Sequence, residues 1–397
     1  MKKLLILGGS EFQIPLVKRV KSKNIYTIVV DINSDAPAFK YADETHIASV
    51  KDIDAICEIA SKIRPNGITV GMVDIAIPSY AYATSKLGLP GISIETSKKA
   101  TDKFEMIKCF EKFEVPHPKF QYISQESVDN FSLNIPYPVI IKPIDMAGSR
   151  GIYLVNNDKE LKNSIIESSQ ISDNGNLLVE EYMEGPEVSV EMVVKNGTPY
   201  VIQITDKSTS GAPHFAEIGH LQPSQLSNDI KDKIKTVAIA AAKSIGLVNS
   251  LAHAELKITN EGPKMVEIGA RSGGDGIAEQ LIELSTGVSF NEIAIQIAFG
   301  EEITFNEKIE NKGSCIRFIE AKEGYFSNVS NIEILKEMDG VVDITIYAKK
   351  GQYYSGMKDN SGRIGHIITV AKDGTTAEKI CNDVLDKIEV YYSKDGN

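Results

Sequence analysis

Cysteine is scarce in this sequence, and long apolar segments are missing. The four cysteines in 397 residues lie far apart, without a CxxC pair or a cluster with histidine. That spacing argues against a zinc site and predicts free, buried thiols in a reducing cytoplasm. The first apolar stretch, Leu4–Leu7, is too short for a signal peptide and runs into two glycines. No segment approaches the roughly 20 apolar residues that a membrane helix requires, so we expect a cytoplasmic protein without a membrane partner.

A surplus of basic residues is also missing. Acidic residues outnumber basic ones, and the formal net charge at pH 7 is −11. A general nucleic-acid binder presents a basic surface, so nucleic acid is not an expected partner. Hydrophobic residues make up 42% and charged residues 24% of the chain, which is typical of a globular protein.

The order of apolar patterns predicts a change of architecture along the chain. Buried-type strands are predicted at Leu4–Leu7, Tyr26–Ile32 and Gly67–Gly71, with helical patterns between and after them, such as Ile77–Leu87. Continuous apolar strands that alternate with helices predict a parallel sheet covered on both faces. From Pro138 onward the strands become longer and alternate polar with apolar residues, which predicts antiparallel sheets.

The segment Leu251–Arg271 predicts an antiparallel hairpin with acidic residues on one face. A five-residue turn, Thr259–Pro263, would place Glu255 directly opposite Glu267, because strand residues alternate between faces. Two opposed carboxylates repel each other unless a cation lies between them, and oxygen ligands of this kind select Mg²⁺ or Mn²⁺. The hairpin therefore predicts a divalent-metal site, with a solvated hairpin that carries two surface glutamates as the alternative.

Arg271 follows on the same face and precedes a glycine-rich run, Ser272–Gly276. Backbone N–H groups of such a loop and a guanidinium can together hold an anion. We therefore predict that Arg271 and this loop stabilise developing negative charge. A plain flexible loop is the alternative interpretation.

A second glycine-rich loop lies in the segment Val139–Tyr153, VIIKPIDMAGSRGIY. Its small residues Gly148, Ser149 and Gly151 allow a backbone to approach phosphate oxygens closely. Lys142 adds a positive charge at the end of the preceding strand. The run is not a Walker motif, which requires GxxxxGK[ST] before a helix. It predicts a phosphate-binding loop, and a simple β-hairpin is the competing interpretation.

The segment Leu177–Glu191, LLVEEYMEGPEVSVE, combines an apolar strand, an acidic pair, a turn and an alternating strand. Such a connection could offer backbone groups to an adenine edge and a carboxylate to a ribose. An exposed acidic turn is the alternative.

The N-terminus contains part of a dinucleotide-binding pattern. Gly8-Gly9-Ser10 follows the first strand, and Asp31 ends the next one. Phe12 and Gln13 occupy the later positions of the GxGxxG fingerprint, which is therefore incomplete. A dinucleotide-binding oxidoreductase stays as an alternative of another class, together with an inactive nucleotide-binding protein.

Taken in order, these motifs resemble those of the ATP-grasp superfamily. Lys103 lies in the helical segment TDKFEMIKCF, and Lys142 with its loop, the VEEYMEGPEVSVE turn and the HAELKI…MVEIGARSGGD hairpin follow. The similarity covers essentially the whole chain and looks closest to carboxylate–amine ligases near the bacterial L-amino-acid ligases. Gly269 is a departure, because D-alanine–D-alanine ligases tend to carry an Asn metal ligand at that place.

The resemblance implies a fold of mixed α/β and α+β class. A parallel-sheet domain would precede a two-part ATP-grasp core, and an α+β segment would follow it. The expected units are a parallel α/β domain, a lid subdomain with a linker helix, a metal-binding subdomain and a C-terminal subdomain, over residues 1–95, 96–185, 186–305 and 306–397.

The resemblance also implies a role for each matching residue. ATP would be bound by Lys103, Lys142, Gly148, Ser149, Gly151, Glu180, Glu181, Met183 and Glu187. Mg²⁺ or Mn²⁺ would be held by Glu255 and Glu267, and the catalytic side chains would be Arg271 and Lys142. Substrate contacts are expected from Lys207, His214, Glu217, His220, Gly273 and Gly274.

The implied reaction joins a small-molecule carboxylate to an amine, with amino acids as the expected substrates. The carboxylate would take the γ-phosphoryl group of ATP, and the amine would then displace phosphate and form an amide. No side-chain nucleophile is required, which agrees with the lack of a recognisable Ser/His/Asp or Cys/His constellation. A bicarbonate-activating enzyme, similar to biotin carboxylase or the carbamoyl-phosphate synthetase large subunit, is the alternative. Relatives of this kind are often homodimers, so a homodimer is the expected assembly.

Overall fold

The computed structural model of the protein describes residues 1–146, 148, 150–211, 215–357 and 359–394. Two of the predicted site residues, Ser149 and His214, lie outside the described residues. The first unit is built from the following elements: β1 (Lys3–Leu7), α1 (Ile14–Ser22), β2 (Tyr26–Asp31), β3 (Glu44–Ile47), α2 (Ile53–Ile63), β4 (Gly67–Thr69), α3 (Ile77–Leu87), α4 (Ile94–Thr101) and α5 (Lys103–Lys112).

The predicted parallel sheet is confirmed. Its four strands have the order β3-β2-β1-β4, and every neighbouring pair is parallel. All four residues from Leu4 to Leu7 are fully buried, because helices cover both faces of β1. A short 3₁₀ turn, Asp74–Ala76, follows β4 and leads into α3.

The predicted helical segment TDKFEMIKCF, which starts at Thr101, becomes helical two residues later than expected and is preceded by another helix. Asp102 adopts an extended conformation between α4 and α5. Its carboxylate accepts hydrogen bonds from the N–H groups of Phe104 (2.9 Å) and Glu105 (3.1 Å), which is the usual role of an N-cap. Lys103 is therefore the first residue of α5, and its backbone N–H donates to the Ile144 carbonyl at 3.0 Å.

The second unit is a small antiparallel sheet, called the lid sheet below. It contains β5 (Phe120–Ile123), β6 (Val139–Pro143), β7 (Tyr153–Val155), α6 (Asp158–Ile171) and β8 (Leu177–Glu181). The strand order is β5-β8-β6-β7, so the glycine-rich loop connects the neighbouring strands β6 and β7.

The largest sheet has eight strands in the order β13-β12-β9-β10-β11-β14-β18-β16. The rest of the chain, which contains this sheet, consists of β9 (Glu187–Lys195), β10 (Thr198–Thr209), β11 (Glu217–Gln222), α7 (Asn228–Ser244), β12 (Ser250–Thr259), β13 (Gly262–Gly269), α8 (Ile282–Thr286), α9 (Phe290–Ala298), β14 (Gly313–Glu320), β15 (Glu323–Val329), α10 (Ile332–Lys336), β16 (Val341–Ile346), β17 (Tyr353–Ser355), β18 (Arg363–Ala371), α11 (Gly374–Leu385) and β19 (Val390–Ser393). The strands β17, β15 and β19 form a separate three-stranded sheet. Because β14, β18 and β16 join the large sheet, that sheet continues across the expected subdomain boundary at 305/306.

The hairpin of β12 and β13 pairs Glu255 with Glu267, as the sequence predicts, but the predicted five-residue turn is wrong. The strands continue to a tight turn, where Thr259 pairs with Gly262. A bulge beside Glu255 then shifts the register by one residue, with Val266 as the extra residue on β13. The bulge compensates for the shorter turn, so the two glutamates still face each other.

The hydrophobic core is continuous between the first unit and the large sheet. One cluster joins Leu5 and Ile77 to Val190 and Ala254, so these units pack as one body. The four cysteines are unpaired and buried, in agreement with the prediction from their spacing. Within the described ranges, no helix has the length and apolar character needed to cross a membrane.

Candidate active site

A cavity of about 320 Å³ lies between the lid sheet and the large sheet. The first unit contributes Asp74 to its wall, and the C-terminal part of the chain contributes Asn360. Most of the predicted site residues within the described part of the chain line this one cavity: Lys103, Lys142, Gly148, Glu180, Glu181, Met183, Glu187, Lys207, Glu217, Glu255, Glu267, Arg271 and Gly274. Gly151, His220 and Gly273 do not line it directly.

The end of the cavity beside the lid sheet, called the lid end, contains a buried ion pair. The Lys142 ammonium lies 2.7 Å from the Glu180 carboxylate, and both side chains are almost fully buried. β6 and β8 are neighbours, which brings these side chains together. A buried lysine needs such a partner, because an unpaired charge in the interior is costly. Met183 lines the same end and is also buried.

The loop between β6 and β7 has two glycines in the left-handed region. Gly148 has φ +70°, and a Cβ placed there would meet no atom within 4 Å. Gly151 has φ +74°, and a Cβ there would lie 2.9 Å from the Pro143 ring. Gly148 therefore faces open space at the cavity, whereas Gly151 packs against the start of the loop and shapes its return.

Lys103 connects the lid to the metal hairpin. Its ammonium donates to the Met146 carbonyl at 2.7 Å and lies 3.3 Å from Glu267. Burial acts to lower the pKa of Lys103, but the carboxylates of Glu267 and Asp74 outweigh it and raise that pKa. The side chain is therefore held as a cation beside the cavity.

Lys207 lies among three carboxylates at the centre of the cavity. Its ammonium is 2.7 Å from Glu187, 3.0 Å from Glu255 and 3.2 Å from Glu217. Burial acts to lower the pKa of Lys207, but these three carboxylates hold it well above its usual range. Glu187 also contacts Lys257 at 3.2 Å.

Glu255 has two cationic neighbours, Lys207 and His253. The imidazole Nε2 lies 3.0 Å from the Glu255 carboxylate. Burial acts to raise the pKa of Glu255, but Lys207 and His253 hold it well below its usual range. Burial acts to lower the pKa of His253, but Glu191, which lies 2.5 Å from Nδ1, raises it to about 9. His253 is thus a cation at neutral pH.

Arg271 is held by a residue of the first unit. Its guanidinium pairs with Asp74 and donates to the Ser272 carbonyl at 2.8 Å. Burial acts to lower the pKa of Arg271, but Asp74 outweighs it and raises that pKa further. A Cβ placed at Gly269 would lie 2.9 Å from the Asp74 carboxylate, so the missing side chain at 269 leaves room for this pair.

The other end of the cavity, called the C-terminal end, combines the large sheet with the last part of the chain. Arg363 donates from Nε to the Glu217 carbonyl (3.1 Å) and from Nη1 to Asp275 (2.7 Å), and its guanidinium stacks on Phe318. Asn360 accepts a hydrogen bond from the Glu217 backbone N–H at 3.0 Å. These contacts fix the C-terminal wall of the cavity.

Ligand atoms of Glu217, His220 and Asp275 all lie within 4.8 Å of one another. Lys207 already contacts Glu217, and Arg363 already contacts Asp275 at 2.7 Å. Both carboxylates of this group are therefore already paired with cationic side chains of the protein. The predicted substrate residue His220 is fully buried behind Glu217, at 3.3 Å.

Several residues that shape the cavity were not predicted from the sequence. Glu191 and His253 belong to strands that were predicted, and His253 shares a face with Glu255. Their positions on the polar face of β9 and β12 are the signal that could have identified them. Asp275 lies within the predicted glycine-rich run, whereas Asp74 and Arg363 carry no local motif. Their roles depend on contacts between distant parts of the chain.

Comparison with known proteins matches two parts of the chain to family models. Residues 135–279 match the ATP-grasp domain, and residues 317–393 match the L-amino acid ligase C-terminal domain 2. The chain therefore contains an ATP-grasp domain. The expected fold class is thereby confirmed, with its parallel and antiparallel sheets.

Several solved structures share the fold over nearly the whole chain. An L-amino acid ligase from Bacillus licheniformis is 20% identical, with a TM-score of 0.87 and 99% of both chains covered. Phosphoribosylglycinamide synthetase from Anaerococcus prevotii is 24% identical, with a TM-score of 0.78 and coverage of 99% of this chain and 100% of that chain. Biotin carboxylase from Campylobacter jejuni is 20% identical, with a TM-score of 0.76 and coverage of 98% and 92%. At these identities the likeness shows the fold alone.

Proposed function

We propose that this ATP-grasp ligase joins a small-molecule carboxylate to an amine through an acyl phosphate and releases ADP and phosphate. The observation that carries the proposal is the pairing of Glu255 with Glu267. Both residues lie on the wall of the cavity that Arg271 also lines. Two carboxylates for a divalent cation and one guanidinium for an anion are the groups that phosphoryl transfer onto a carboxylate requires.

The Glu255 and Glu267 carboxylates fit Mg²⁺ or Mn²⁺. Both line the cavity, and each has a lysine ammonium nearby, Lys207 at 3.0 Å and Lys103 at 3.3 Å. A divalent cation would compete with these ammonium groups for the two carboxylates. Oxygen donors of this type suit hard divalent cations, which, when bound, would neutralise charge on the phosphate oxygens.

We assign ATP to the lid end of the cavity. Lys103 and Lys142 would neutralise phosphate oxygens, and the loop with Gly148 and Gly151 would close over them. Adenine would lie beside Met183 and the backbone of Glu180 and Glu181, and Glu187 would hold the ribose hydroxyls. Lys142 now contacts Glu180 at 2.7 Å, so bound nucleotide would compete with that carboxylate for the ammonium.

We assign the two substrates to the region between Arg271 and the C-terminal end. Arg271, held by Asp74, would stabilise the charge that develops on the acyl phosphate and on the later tetrahedral intermediate. Lys207, Glu217 and the loop at Gly273 and Gly274 would bound the substrate space. His220, behind Glu217, would keep that carboxylate in place instead of contacting substrate directly.

Amino acids are the proposed substrates, and the test is a phosphate-release screen. Amino acids are supplied singly and in pairs with ATP and Mg²⁺, nucleotide products are separated, and amide products are detected by mass. The ligase releases ADP and phosphate only when both co-substrates are present. Production of AMP would identify an adenylating enzyme, and turnover that requires bicarbonate would identify a carboxylase-like enzyme; either result rules the proposal out.

The proposal also includes a homodimer in the cytoplasm, without nucleic-acid or membrane partners. Sedimentation analysis at several concentrations measures the assembly directly. A monomer at all concentrations would remove the dimer from the proposal without affecting the reaction.

A further inference from the structure

A buried carboxylate and a buried histidine lie behind the metal hairpin and have no part in the function proposed above. Glu191, on β9, is fully buried, and His253, on β12, is 4% exposed. The two strands are neighbours, and the backbones of these two residues are paired directly. A fully buried carboxylate is rare in proteins, and its contacts indicate what it does.

Glu191 has three hydrogen-bonding partners. Its carboxylate accepts hydrogen bonds from the Ser189 hydroxyl (3.1 Å), from the Gly273 backbone N–H (3.1 Å) and, at 2.5 Å, from Nδ1 of His253. The backbone N–H group of Gly273 therefore attaches the glycine-rich loop to the core. That N–H group points inward and serves to anchor the loop.

His253 continues the chain of contacts toward the cavity. Its Nε2 lies 3.0 Å from the Glu255 carboxylate, on the side opposite to Glu191. A histidine or carboxylate held in this way fixes the orientation of a metal ligand, and such outer contacts tune metal affinity. The contacts thus run without a break from the loop at Gly273, through Glu191 and His253, to Glu255.

The loop has no room for a side chain at this point. A Cβ placed at Gly273 would lie 2.8 Å from both carboxylate oxygens of Glu191 and 2.9 Å from Nδ1 of His253. Gly273 is thus required by close packing, which supports a fixed geometry for the pair.

We propose that Glu191 and His253 are positioning residues that orient the Glu255 carboxylate for a divalent cation and at the same time hold the loop at Gly273 beside the substrates. The inference rests on the proposed function, because it takes Glu255 to be a metal ligand. The pair connects the Glu255 carboxylate to the loop at Gly273. The orientation of that carboxylate and the position of the loop therefore depend on each other.

Two substitutions of His253 separate its two contacts. In His253→Asn, the amide nitrogen takes the place of Nδ1 and keeps the contact with Glu191 but cannot reach Glu255. In His253→Gln, the amide nitrogen takes the place of Nε2 and can reach Glu255 but loses Glu191. His46→Gln is the matched control, because His46 also pairs with a carboxylate, Glu44 at 2.7 Å, far from the cavity.

The experiment measures the affinity of Mn²⁺ for the enzyme with ADP present, by electron paramagnetic resonance, and then KM and kcat for the amino acid substrates. We expect His253→Asn to weaken Mn²⁺ binding by about 10- to 100-fold, because the Glu255 carboxylate is no longer oriented. We expect His253→Gln to keep near-normal Mn²⁺ affinity and to raise KM for the amino acids. The control should change neither quantity.

The inference is overturned if His253→Asn binds Mn²⁺ as tightly as the unchanged protein, or if the Asn and Gln variants lose metal affinity equally. If the unchanged protein binds no Mn²⁺ in the presence of ADP, the metal assignment in the proposed function fails as well, so the two failures are distinguishable.

Should the His253 variants fold poorly, Gly273→Ala serves as a second probe. It leaves both side chains intact and should displace them, which we expect to weaken Mn²⁺ binding in the same direction; unchanged affinity there also contradicts the inference.

Discussion

The lid end of the cavity is assembled from neighbouring strands, whereas the C-terminal end is assembled from residues up to 146 positions apart in the chain. At the lid end, Lys142 and Glu180 meet because β6 and β8 are adjacent. At the C-terminal end, Arg363 must reach across the large sheet to Glu217 and Asp275. We therefore propose that the lid end binds ATP and that the C-terminal end selects the substrates.

The largest expected effect comes from the metal hairpin, which lies between the two ends. We expect Glu267→Gln to lower ADP formation by about 10³-fold while leaving the fold intact, because an amide is a poor ligand for a hard cation. Turnover is measured by phosphate release. Glu261→Gln, at the exposed tip of the same hairpin, is the control and should behave like the unchanged protein. Full activity of Glu267→Gln would remove the metal assignment.

A somewhat smaller effect is expected at the lid end. Lys142→Ala removes a buried ammonium and leaves the Glu180 carboxylate without its partner. We expect ATP affinity to fall and kcat to drop by about 10²-fold, whichever amino acids are supplied. Calorimetric titration of ATP and steady-state kinetics measure the two effects. Lys162→Ala, an exposed lysine on α6, is the control. Unchanged ATP affinity and rate would exclude Lys142 from the site.

A selective effect is expected at the C-terminal end. Arg363→Met keeps the packing on Phe318 but removes the contacts with Asp275 and Glu217. We expect kcat/KM for the amino acids to fall by about 10- to 100-fold, with the Kd for ATP unchanged, because the lost contacts are charge-assisted hydrogen bonds.

The matched control is Arg317→Met, since Arg317 pairs with Glu378 on α11, away from the cavity. Equal losses of ATP and amino acid binding in Arg363→Met would contradict the division between the two ends. So would a loss of amino acid kcat/KM in Arg317→Met that matches the loss in Arg363→Met.

The smallest effect concerns stability and not turnover. Burial raises the pKa of Glu279 to about 8, well above its value of 4.5 in an unfolded chain. The folded protein therefore keeps this proton while the unfolded chain releases it, so the stabilising contribution is complete below about pH 4.5 and is lost as the pH rises through 8. We expect the unchanged protein to lose about 2 kcal/mol of unfolding free energy from this group between pH 6 and pH 8.

Glu279→Gln should not show that loss, because the amide stays neutral. Denaturant unfolding at pH 6, 7 and 8 measures the difference. Glu283→Gln, where the carboxylate is half-exposed and pairs with Arg19, is the control. Identical pH dependence in the unchanged protein and Glu279→Gln would show that Glu279 ionises normally in the folded state.

Local patterns were sufficient to predict the parts of the fold that depend on neighbouring residues. Helix α3 has the predicted bounds, Ile77–Leu87, and Glu255 faces Glu267 as predicted. The prediction of the turn between those strands was wrong, because periodicity indicates the face on which a side chain lies and does not indicate a bulge. The helix α4 was missed, because its break from α5 depends on the capping geometry of Asp102.

Contacts between distant segments could not be predicted in the same way. Asp74 and Arg271 are 197 residues apart, and Glu191 and Gly273 are 82 residues apart. Periodicity places each of these residues on a face but does not identify the strand or turn that lies opposite. The proposed ATP site is therefore close to what the motifs predict, and the surroundings of the substrates are known only from the folded chain.

The space beside Gly269 has a consequence for the evolution of this site. A side chain at 269 would occupy the position of the Asp74 carboxylate, which comes from a separate unit of the chain. The two positions should therefore change together among relatives: an acidic residue at 74 with glycine at 269, or a larger residue at 269 with a small one at 74. A single substitution at either position disrupts the partner of Arg271, so a lineage can exchange one arrangement for the other only through a pair of linked substitutions.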